Sequence, residues 1–226
     1  MEIRRINRWD VTYSEAVEIQ KVLQEEVVLA PVRKKVAIIA GADISYNKGD
    51  DRIYAGVVIL SYPGFEIVEK HTAVAKAAFP YIPGLLSFRE VPPLLEVFRM
   101  VETVPDVILC DGQGIAHPRR FGMASHLGLF LGLPTVGCAK SLLVGEFREP
   151  GRAKGRWSEL SYHGETVGSA VRTREGVKPV FVSPGHLIDI PSARKMALAA
   201  SASYRIPEPV RQAHILVNQL RKGKTT

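Results

Sequence analysis

The chain has 226 residues, of which 46% are hydrophobic and 23% are charged, so its composition excludes a disordered chain. Thirty lysines and arginines against 23 aspartates and glutamates give a formal net charge of +7, which attracts polyanions such as nucleic acids. A charge of this size is equally consistent with a role in solubility. The length suits one compact unit, and we predict a single domain over residues 1–226.

Nothing in the sequence indicates a membrane protein or a secreted one. The longest apolar run, residues 127–139, contains Pro134 and is shorter than the ~18 residues that indicate a membrane span. No apolar stretch follows the basic residues at the start, so a signal peptide is not expected. Cys110 and Cys138 each close an apolar run, which favours buried, reduced thiols. We expect a cytoplasmic protein, with a monomer as the default state.

The first half of the chain combines one helix with three strands. Apolar residues at helical spacing predict an amphipathic helix over 12–28, with Ser14 as its N-cap. Short β-branched runs at 36–43, 53–60 and 65–74 are separated by turn-like segments, which predicts a three-stranded meander. Residues 85–101 then have a helical pattern, in which Pro92 and Pro93 predict a kink or the start of a second helix.

The second half alternates between strand and helix. Residues 106–110 and 134–139 are strand candidates on either side of a helix over 123–133, which predicts parallel pairing. Residues 144–165 are rich in Gly, Arg and Lys and are predicted to form an exposed basic loop. Strands near 166–173 and 179–183 and helices over 191–201 and 208–221 complete the chain. The fold class is therefore α/β, a mixed central sheet flanked by helices, in an order that resembles the ribonuclease H-like fold.

Two aspartates end buried strands. Asp43 closes the run VAIIAGA and Asp111 closes VILC, so both lie where open α/β sheets place their sites. Glu90, on the helix that follows the meander, could reach the same place. Three converging carboxylates repel one another unless a divalent cation neutralises them, and Mg²⁺ prefers such oxygen ligands. Taken singly, each acid has a structural explanation: a turn for Asp111, a loop start for Asp43 and a solvated helix position for Glu90.

Several other residues flank these acids. His117 follows the flexible segment 111–114 and could orient a phosphate or a water, and Lys140 follows the strand 134–139, where a cation can hold a phosphate. His117 and Lys140 could equally be ordinary loop residues. His186 has no clear role, and His214 is either a buried structural residue or a residue that reaches the site from the last helix.

The segment FPYIPG, residues 79–84, is stiffened by two prolines. Its tip consists of Pro80, Tyr81, Ile82 and Pro83, and could insert between stacked bases or hold a flipped nucleotide, as apolar wedges do. The alternative is a loop that faces the core.

Together these segments resemble the endonuclease V family of DNA repair nucleases. The motifs are GADISY, FPYIPGLLSFRE, DGQGIAHPRRFGMASHLG, GCAKS and FVSPGH, in that order, within a match that runs from residue 8 to residue 214. The resemblance implies a ribonuclease H-like fold and dependence on Mg²⁺, with Mn²⁺ as a substitute. It also implies that metal-activated water hydrolyses the second phosphodiester bond 3′ to a deaminated base, chiefly deoxyinosine. The product is a nick with 3′-hydroxyl and 5′-phosphate ends and the lesion still in place.

The resemblance also assigns roles to individual residues. Asp43, Glu90 and Asp111 are implied to be catalytic metal ligands, assisted by Lys140 and His214, while Tyr81 belongs to a wedge that separates the strands. The lesion base is implied to occupy a pocket lined by backbone groups, which suggests Gly84, Leu85, Gly112 and Gly114. The sequence leaves open whether DNA or inosine-containing RNA is the main natural substrate.

Two other functions are compatible with parts of this sequence. A structure-selective ribonuclease or resolvase of the same fold would also need clustered acids but no inosine pocket. A non-catalytic nucleic-acid binder is disfavoured because carboxylates at strand ends would repel phosphate unless a metal were present.

Overall fold

The computed structural model describes residues 1–47 and 49–223. Nine strands form one sheet in the order β3-β2-β1-β4-β5-β9-β8-β7-β6. The strands are β1 (Ile38–Tyr46), β2 (Arg52–Ser61), β3 (Ile67–Lys76), β4 (Val107–Cys110), β5 (Thr135–Ala139), β6 (Glu146–Phe147), β7 (Trp157–Tyr162), β8 (Glu165–Val171) and β9 (Val180–His186). The helices are α1 (Tyr13–Leu23), α2 (Leu86–Met100), α3 (Met123–Leu131), α4 (Ile190–Ala199) and α5 (Glu208–Arg221).

The sheet is mixed, as predicted. Strands β1, β2 and β3 form the expected antiparallel meander, and β4 and β5 lie parallel to β1. Strand β9 then pairs antiparallel with β5 and leads into the antiparallel group β8, β7 and β6. The fold is ribonuclease H-like. The assignment of residues 1–226 to one domain stays a prediction.

Alternation along the central strands divides the core between two faces of the sheet. Ile108 and Cys110 of β4 face α2 and α3, where they pack with residues such as Leu94 and Leu127. The intervening residues of β4 face the other side, where α4 packs on the sheet and α5 covers β1 and β2. Burial on both sides explains why β4 reads as a continuous apolar run. No helix in the described ranges is long and apolar enough to cross a membrane.

The structure corrects three local predictions in the helices and loops. Helix α1 ends at Leu23, with a 3-10 turn over Gln24–Glu26, and its N-cap is Thr12 rather than Ser14. Thr12 accepts from the Glu15 backbone N–H, and the Glu15 carboxylate accepts from the Thr12 N–H at 2.8 Å. Of the two alternatives at the prolines, a kink or a second helix, the second helix is wrong, because α2 runs through both prolines. Its largely buried apolar face holds the helix in place.

Residues 144–165 are not one loop. They contain β6, β7 and the start of β8, at the edge of the sheet. The apolar alternation in this edge region is weak, because many of its side chains are exposed. Its order depends instead on buried Arg172, whose guanidinium donates to the carbonyl oxygens of Pro150 and Gly151 at 2.8 and 3.1 Å.

Three buried histidines predict loss of stability in acid. Burial lowers the pKa of His126 to about 3, and the pKa values of His117 and His186 to about 4. In the unfolded chain these groups titrate near 6.5, so their neutral forms favour folding above that pH, and this contribution is lost as the pH falls. We expect the free energy of unfolding to decrease between pH 6.5 and 5. In urea titrations, His126→Gln should reduce the change of the free energy of unfolding with pH by about 1.4 kcal/mol per pH unit. An unchanged slope would contradict the assignment, and above pH 7.5 the two proteins should show parallel curves.

Candidate metal and nucleic-acid site

The parallel pairing of β1 and β4 brings two aspartates together. Ala42 is paired with Cys110, so the next residues, Asp43 and Asp111, lie side by side. Asp111 follows the end of β4, but the predicted strand end at Asp43 is wrong, because β1 continues to Tyr46 in pairing with β2. His214 reaches the same place from α5, and the ligand atoms of the three side chains all lie within 4.8 Å of one another. The predicted convergence of the two aspartates is therefore observed, and His214 is the residue of the last helix that reaches them.

Asp43 is almost completely buried, with a relative exposure of 5%. Its Oδ1 accepts from the Ile44 backbone N–H at 2.8 Å, and its Oδ2 lies 2.8 Å from Nδ1 of His214. Burial raises the pKa of Asp43, and the negative charge of Asp111 adds to this, while the contact with His214 opposes it. The protein therefore holds the Asp43 carboxylate in one orientation but does not fully neutralise its negative charge.

Asn218 determines which nitrogen of His214 carries the proton. The side-chain amide of Asn218 donates to the backbone carbonyl of His214 at 2.8 Å, and its Oδ1 accepts from Arg221 at 2.9 Å. Because a carbonyl only accepts and a guanidinium only donates, the orientation of this amide is unambiguous. Its NH₂ group lies 3.2 Å from Nε2 of His214, so Nε2 accepts and Nδ1 donates to Asp43. Sequence reasoning missed Asn218, although it lies one helical turn from His214.

Glu90 of α2 is half-buried, and it lies outside the group of Asp43, Asp111 and His214 whose ligand atoms are within 4.8 Å of one another. The pKa of Glu90 is raised to about 8, chiefly by burial and also by the charges of Asp43 and Asp111, against the opposing charge of Arg89. Burial and the neighbouring negative charges therefore oppose the ionisation of Asp43 and Glu90. Clustered oxygen donors of this kind fit a hard divalent cation, which would neutralise the repulsion.

Lys140 lies immediately after β5 and its ammonium group makes an ion pair with Oδ2 of Asp111. The Lys140 side chain is 40% exposed, so it remains accessible to a ligand. Its backbone carbonyl accepts from the guanidinium of Arg205 at 2.6 Å, which anchors this position to the segment before α5.

A cavity of about 410 Å³ connects these groups with the loop before α2. Glu90, Asp111 and Lys140 line one part of it, and Tyr81 and Gly84 line another. Its remaining lining residues are Pro83, Leu86, Ser87, Gly112, Gln113, His117, Gly122, Met123, Ala139, Ser141, Leu142 and Leu143. The space therefore adjoins both the acids and the predicted wedge.

The predicted pocket residues divide into two pairs. Gly84 and Gly112 line the cavity. Leu85 instead lies in the core with Phe79 and Phe88, and the Gly114 N–H donates to Ser183 at 2.8 Å in a tightly packed interior position. Leu85 and Gly114 are thus displaced from the lining, because apolar packing and close backbone contact occupy them.

The tip of the predicted wedge is largely exposed. Pro80, Tyr81 and Pro83 lie on the surface, with Tyr81 at 56% exposure, while Ile82 packs partly against the core. The ring of Tyr46, at the end of β1, meets the Tyr81 ring edge-on with centroids 6.3 Å apart. A loop wholly facing the core is therefore excluded, and its aromatic side chain is available to a ligand.

His117 supports the rim of the cavity. Its Nε2 lies 3.0 Å from the carbonyl oxygen of Gly84, and its Nδ1 accepts from the Arg119 N–H at 3.2 Å. Arg119 also donates to the Gly84 carbonyl, at 2.5 Å. Burial lowers the His117 pKa to about 4, so the ring is neutral at pH 7 and both nitrogens are already used. A direct phosphate contact would require His117 to leave these partners. Nδ1 of His186 is similarly engaged, accepting from the Val28 N–H at 3.2 Å.

A mixed sheet with helices on both faces, and with two aspartates side by side on adjacent parallel strands, defines a nuclease of the ribonuclease H-like class. The chain belongs to the endonuclease V family, whose pattern it matches over residues 21–215. Endonuclease V of Myxococcus xanthus is 52% identical over 219 residues, which cover 96% of this chain and 93% of that protein.

Solved structures of the family superpose on the whole fold. Endonuclease V of Streptomyces avermitilis gives a TM-score of 0.91 at 40% identity, with 99% of each chain covered. The Ciona intestinalis protein, in complex with a 23mer DNA containing an inosine followed by a ribo-adenosine, gives 0.85 at 29% identity. That match covers 94% of this chain and 99% of the other. The predicted family and fold are therefore confirmed.

Proposed function

We propose that this protein is a DNA repair endonuclease that hydrolyses the second phosphodiester bond 3′ to a deaminated base, chiefly deoxyinosine. It leaves a nick with 3′-hydroxyl and 5′-phosphate ends and keeps the lesion in place. The observation that carries the proposal is the convergence of Asp43, Asp111 and His214 beside a cavity that extends to Tyr81. The inosine-containing DNA bound by the Ciona relative supports the same substrate class.

Asp43, Asp111 and Glu90 are the proposed ligands for Mg²⁺, with Mn²⁺ as a substitute. A bound divalent cation supplies activation of water and neutralisation of charge at phosphorus. The Nδ1–H of His214 holds Asp43 in position, which makes His214 a positioning residue for that ligand. Lys140 is free to exchange Asp111 for a phosphate oxygen, because a strand end is open to solvent and its ammonium group is partly exposed.

Lesion selection is proposed to use the cavity and the wedge together. A base pair weakened by deamination costs less to open, and Tyr81 at the exposed tip can fill the space left in the stack. The extruded base then enters the cavity beside Gly84 and Gly112, where backbone groups test its edge. His117 and Arg119 hold the Gly84 carbonyl, so their role in this proposal is to keep the rim rigid.

Inosine-containing RNA is proposed as a second substrate. The ribo-adenosine that follows inosine in the DNA of the Ciona complex supports tolerance of a 2′-hydroxyl at that position. Cutting of an RNA strand with one inosine, but not of its adenosine-containing twin, is the expected result.

The decisive experiment compares duplexes that are identical except for a single deoxyinosine, with Mg²⁺ and with EDTA. We expect one nick, at the second phosphodiester bond 3′ to the lesion. It should occur only in the inosine strand and only with Mg²⁺. Equal cutting of branched DNA and no preference for inosine would instead support the structure-selective nuclease, and no cutting at all would contradict the proposal.

Tyr81→Ala is expected to reduce lesion discrimination rather than chemistry. The ratio of kcat/KM for inosine-containing and normal duplexes should fall about 10-fold or more, because stacking on one aromatic ring contributes about 1–3 kcal/mol. Tyr81→Phe is the matched control and should retain most of the ratio. Unchanged discrimination in the alanine variant would mean that the ring serves only to pack against Tyr46.

A further inference from the structure

The edge of the sheet that bears Lys140 continues well beyond the carboxylates. Ala139 of β5 is paired with Phe181 of β9. Phe181 is paired with Ala170 of β8, which is paired in turn with Ser158 of β7. Residues just beyond this row therefore share one edge. At about 4.8 Å per strand, the start of β7 lies about 14 Å from Lys140 along that edge.

Two basic loops project from this edge. They comprise residues 148–156, before β7, and residues 172–178, between β8 and β9. Buried Arg172 holds the first loop through the carbonyls of Pro150 and Gly151. The Gly176 N–H donates to the carbonyl of Arg152 at 3.1 Å, which ties the two loops to each other. Their cations are therefore presented on an ordered surface.

Five cations lie along this edge beyond Lys140, and we call them the basic ridge: Arg152, Arg156, Arg174, Lys178 and Arg205. The first four are exposed, and Arg205 is half-buried. Over residues 1–47 and 49–223, none of the five has a carboxylate within the 4.0 Å of an ion pair. The two loops also carry the acids Glu149, which pairs with Arg172, and Glu175, which is exposed and makes no ion pair with the five cations in the described ranges.

Arg205 connects the ridge to the site. Its guanidinium donates to the carbonyl oxygens of Lys140, Lys178 and Pro179, at 2.6, 2.9 and 2.8 Å. These partners are neutral, so the positive charge of Arg205 remains uncompensated close to Lys140. The ridge and the site therefore form one continuous cationic path.

We propose that the basic ridge binds the phosphate backbone of the substrate duplex on the 5′ side of the cut. This proposal rests on the proposed function. The cavity proposed for the lesion base lies at the ends of β4 and β5, where Asp111 and Lys140 line it, next to the ridge. Asp43 and His214 lie farther from the ridge, on β1 and α5. Because the cut is 3′ to the lesion, a strand that runs from the cavity to the aspartates runs away from the ridge, so the ridge meets the duplex on the 5′ side of the cut. At 3.4 Å per nucleotide, 14 Å spans about four nucleotides.

The experiment measures binding of an inosine-containing duplex against salt concentration. In the variant Arg152→Gln/Arg156→Gln/Arg174→Gln, the slope of log K against log[salt] should fall by about 2 to 3, since each lost phosphate contact removes about 0.9. The dissociation constant at physiological salt should rise about 10-fold or more. The rate of cutting by saturating enzyme should not change, because these residues do not touch the acids.

The control variant Arg33→Gln/Lys35→Gln/Lys70→Gln removes the same charge from exposed positions, two of which precede β1 at the opposite edge. It should keep the wild-type slope. Shortening the duplex on the 5′ side of the cut should abolish the difference between ridge variant and wild type, and shortening the 3′ side should preserve it. Equal slopes for the two variants, or a difference that follows the 3′ side, would overturn the proposal.

Failure of the proposed function gives a result that can be distinguished from failure of the ridge. Wild-type protein would then lack inosine-selective nicking, whereas failure of the ridge leaves that nicking intact.

Discussion

Asp43→Ala and Asp111→Ala are each expected to abolish nicking of a deoxyinosine duplex, with a loss of at least about 10³-fold in single-turnover rate. Each substitution removes a carboxylate from the cluster in which the ligand atoms lie within 4.8 Å of one another. Asp111→Ala also deprives Lys140 of its only acidic partner in the ranges that the structure describes. Both changes should leave the protein folded, because removal of a carboxylate from this cluster relieves repulsion.

Metal binding provides a readout that does not depend on cutting. Titration with Mn²⁺, followed by electron paramagnetic resonance, should show weakened binding in both variants. Asp51→Ala is the matched control, since Asp51 is an exposed acid that pairs with Lys76 on the surface. Full nicking activity in either site variant would refute the assignment of the carboxylates, whatever the metal titration shows.

Glu90→Gln is expected to reduce nicking by about 10²-fold or more while stabilising the metal-free protein at alkaline pH. The Glu90 pKa is about 8 in the fold and near 4.5 in an unfolded chain. The folded state therefore retains a proton that the unfolded state releases. As a result, the contribution of Glu90 to the free energy of unfolding is most favourable below pH 4.5 and is lost as the pH rises through 8. At pH 7 this lowers the free energy of unfolding of the wild type by an amount on the order of 3 kcal/mol.

Urea unfolding in EDTA tests this directly. The difference in unfolding free energy between Glu90→Gln and wild type should grow from pH 5 to pH 8. It should shrink or change sign when Mg²⁺ is added, because a cation favours the ionised carboxylate only where one is present. Glu96→Gln, on an exposed face of the same helix, is the matched control. Equal pH profiles for Glu90→Gln and wild type would mean that Glu90 is well solvated and not part of the acid cluster.

The sequence by itself determined the α/β class, the parallel core and the two aspartates. These features depend on local patterns: a buried strand reads as a short apolar run, and a residue that ends such a run lies at the sheet edge. The match of several motifs in order determined the family. Edge strands β6 and β7 were missed because half-exposed strands with short apolar alternation resemble loops, and their order depends on Arg172 at a distance in the sequence.

Only the tertiary structure decided the partners of the acids and the edge of the cavity. Asn218 orients His214, and Tyr46 contacts Tyr81, through contacts between segments that no local pattern relates. The placement of Leu85 in the core follows from packing against Phe79 and Phe88, a competition that the motif alone does not express. The carboxylates could be predicted because strand ends are a property of one segment. Their electrostatics, and the ridge that continues from Lys140, arise because the sheet assembles distant segments along one edge.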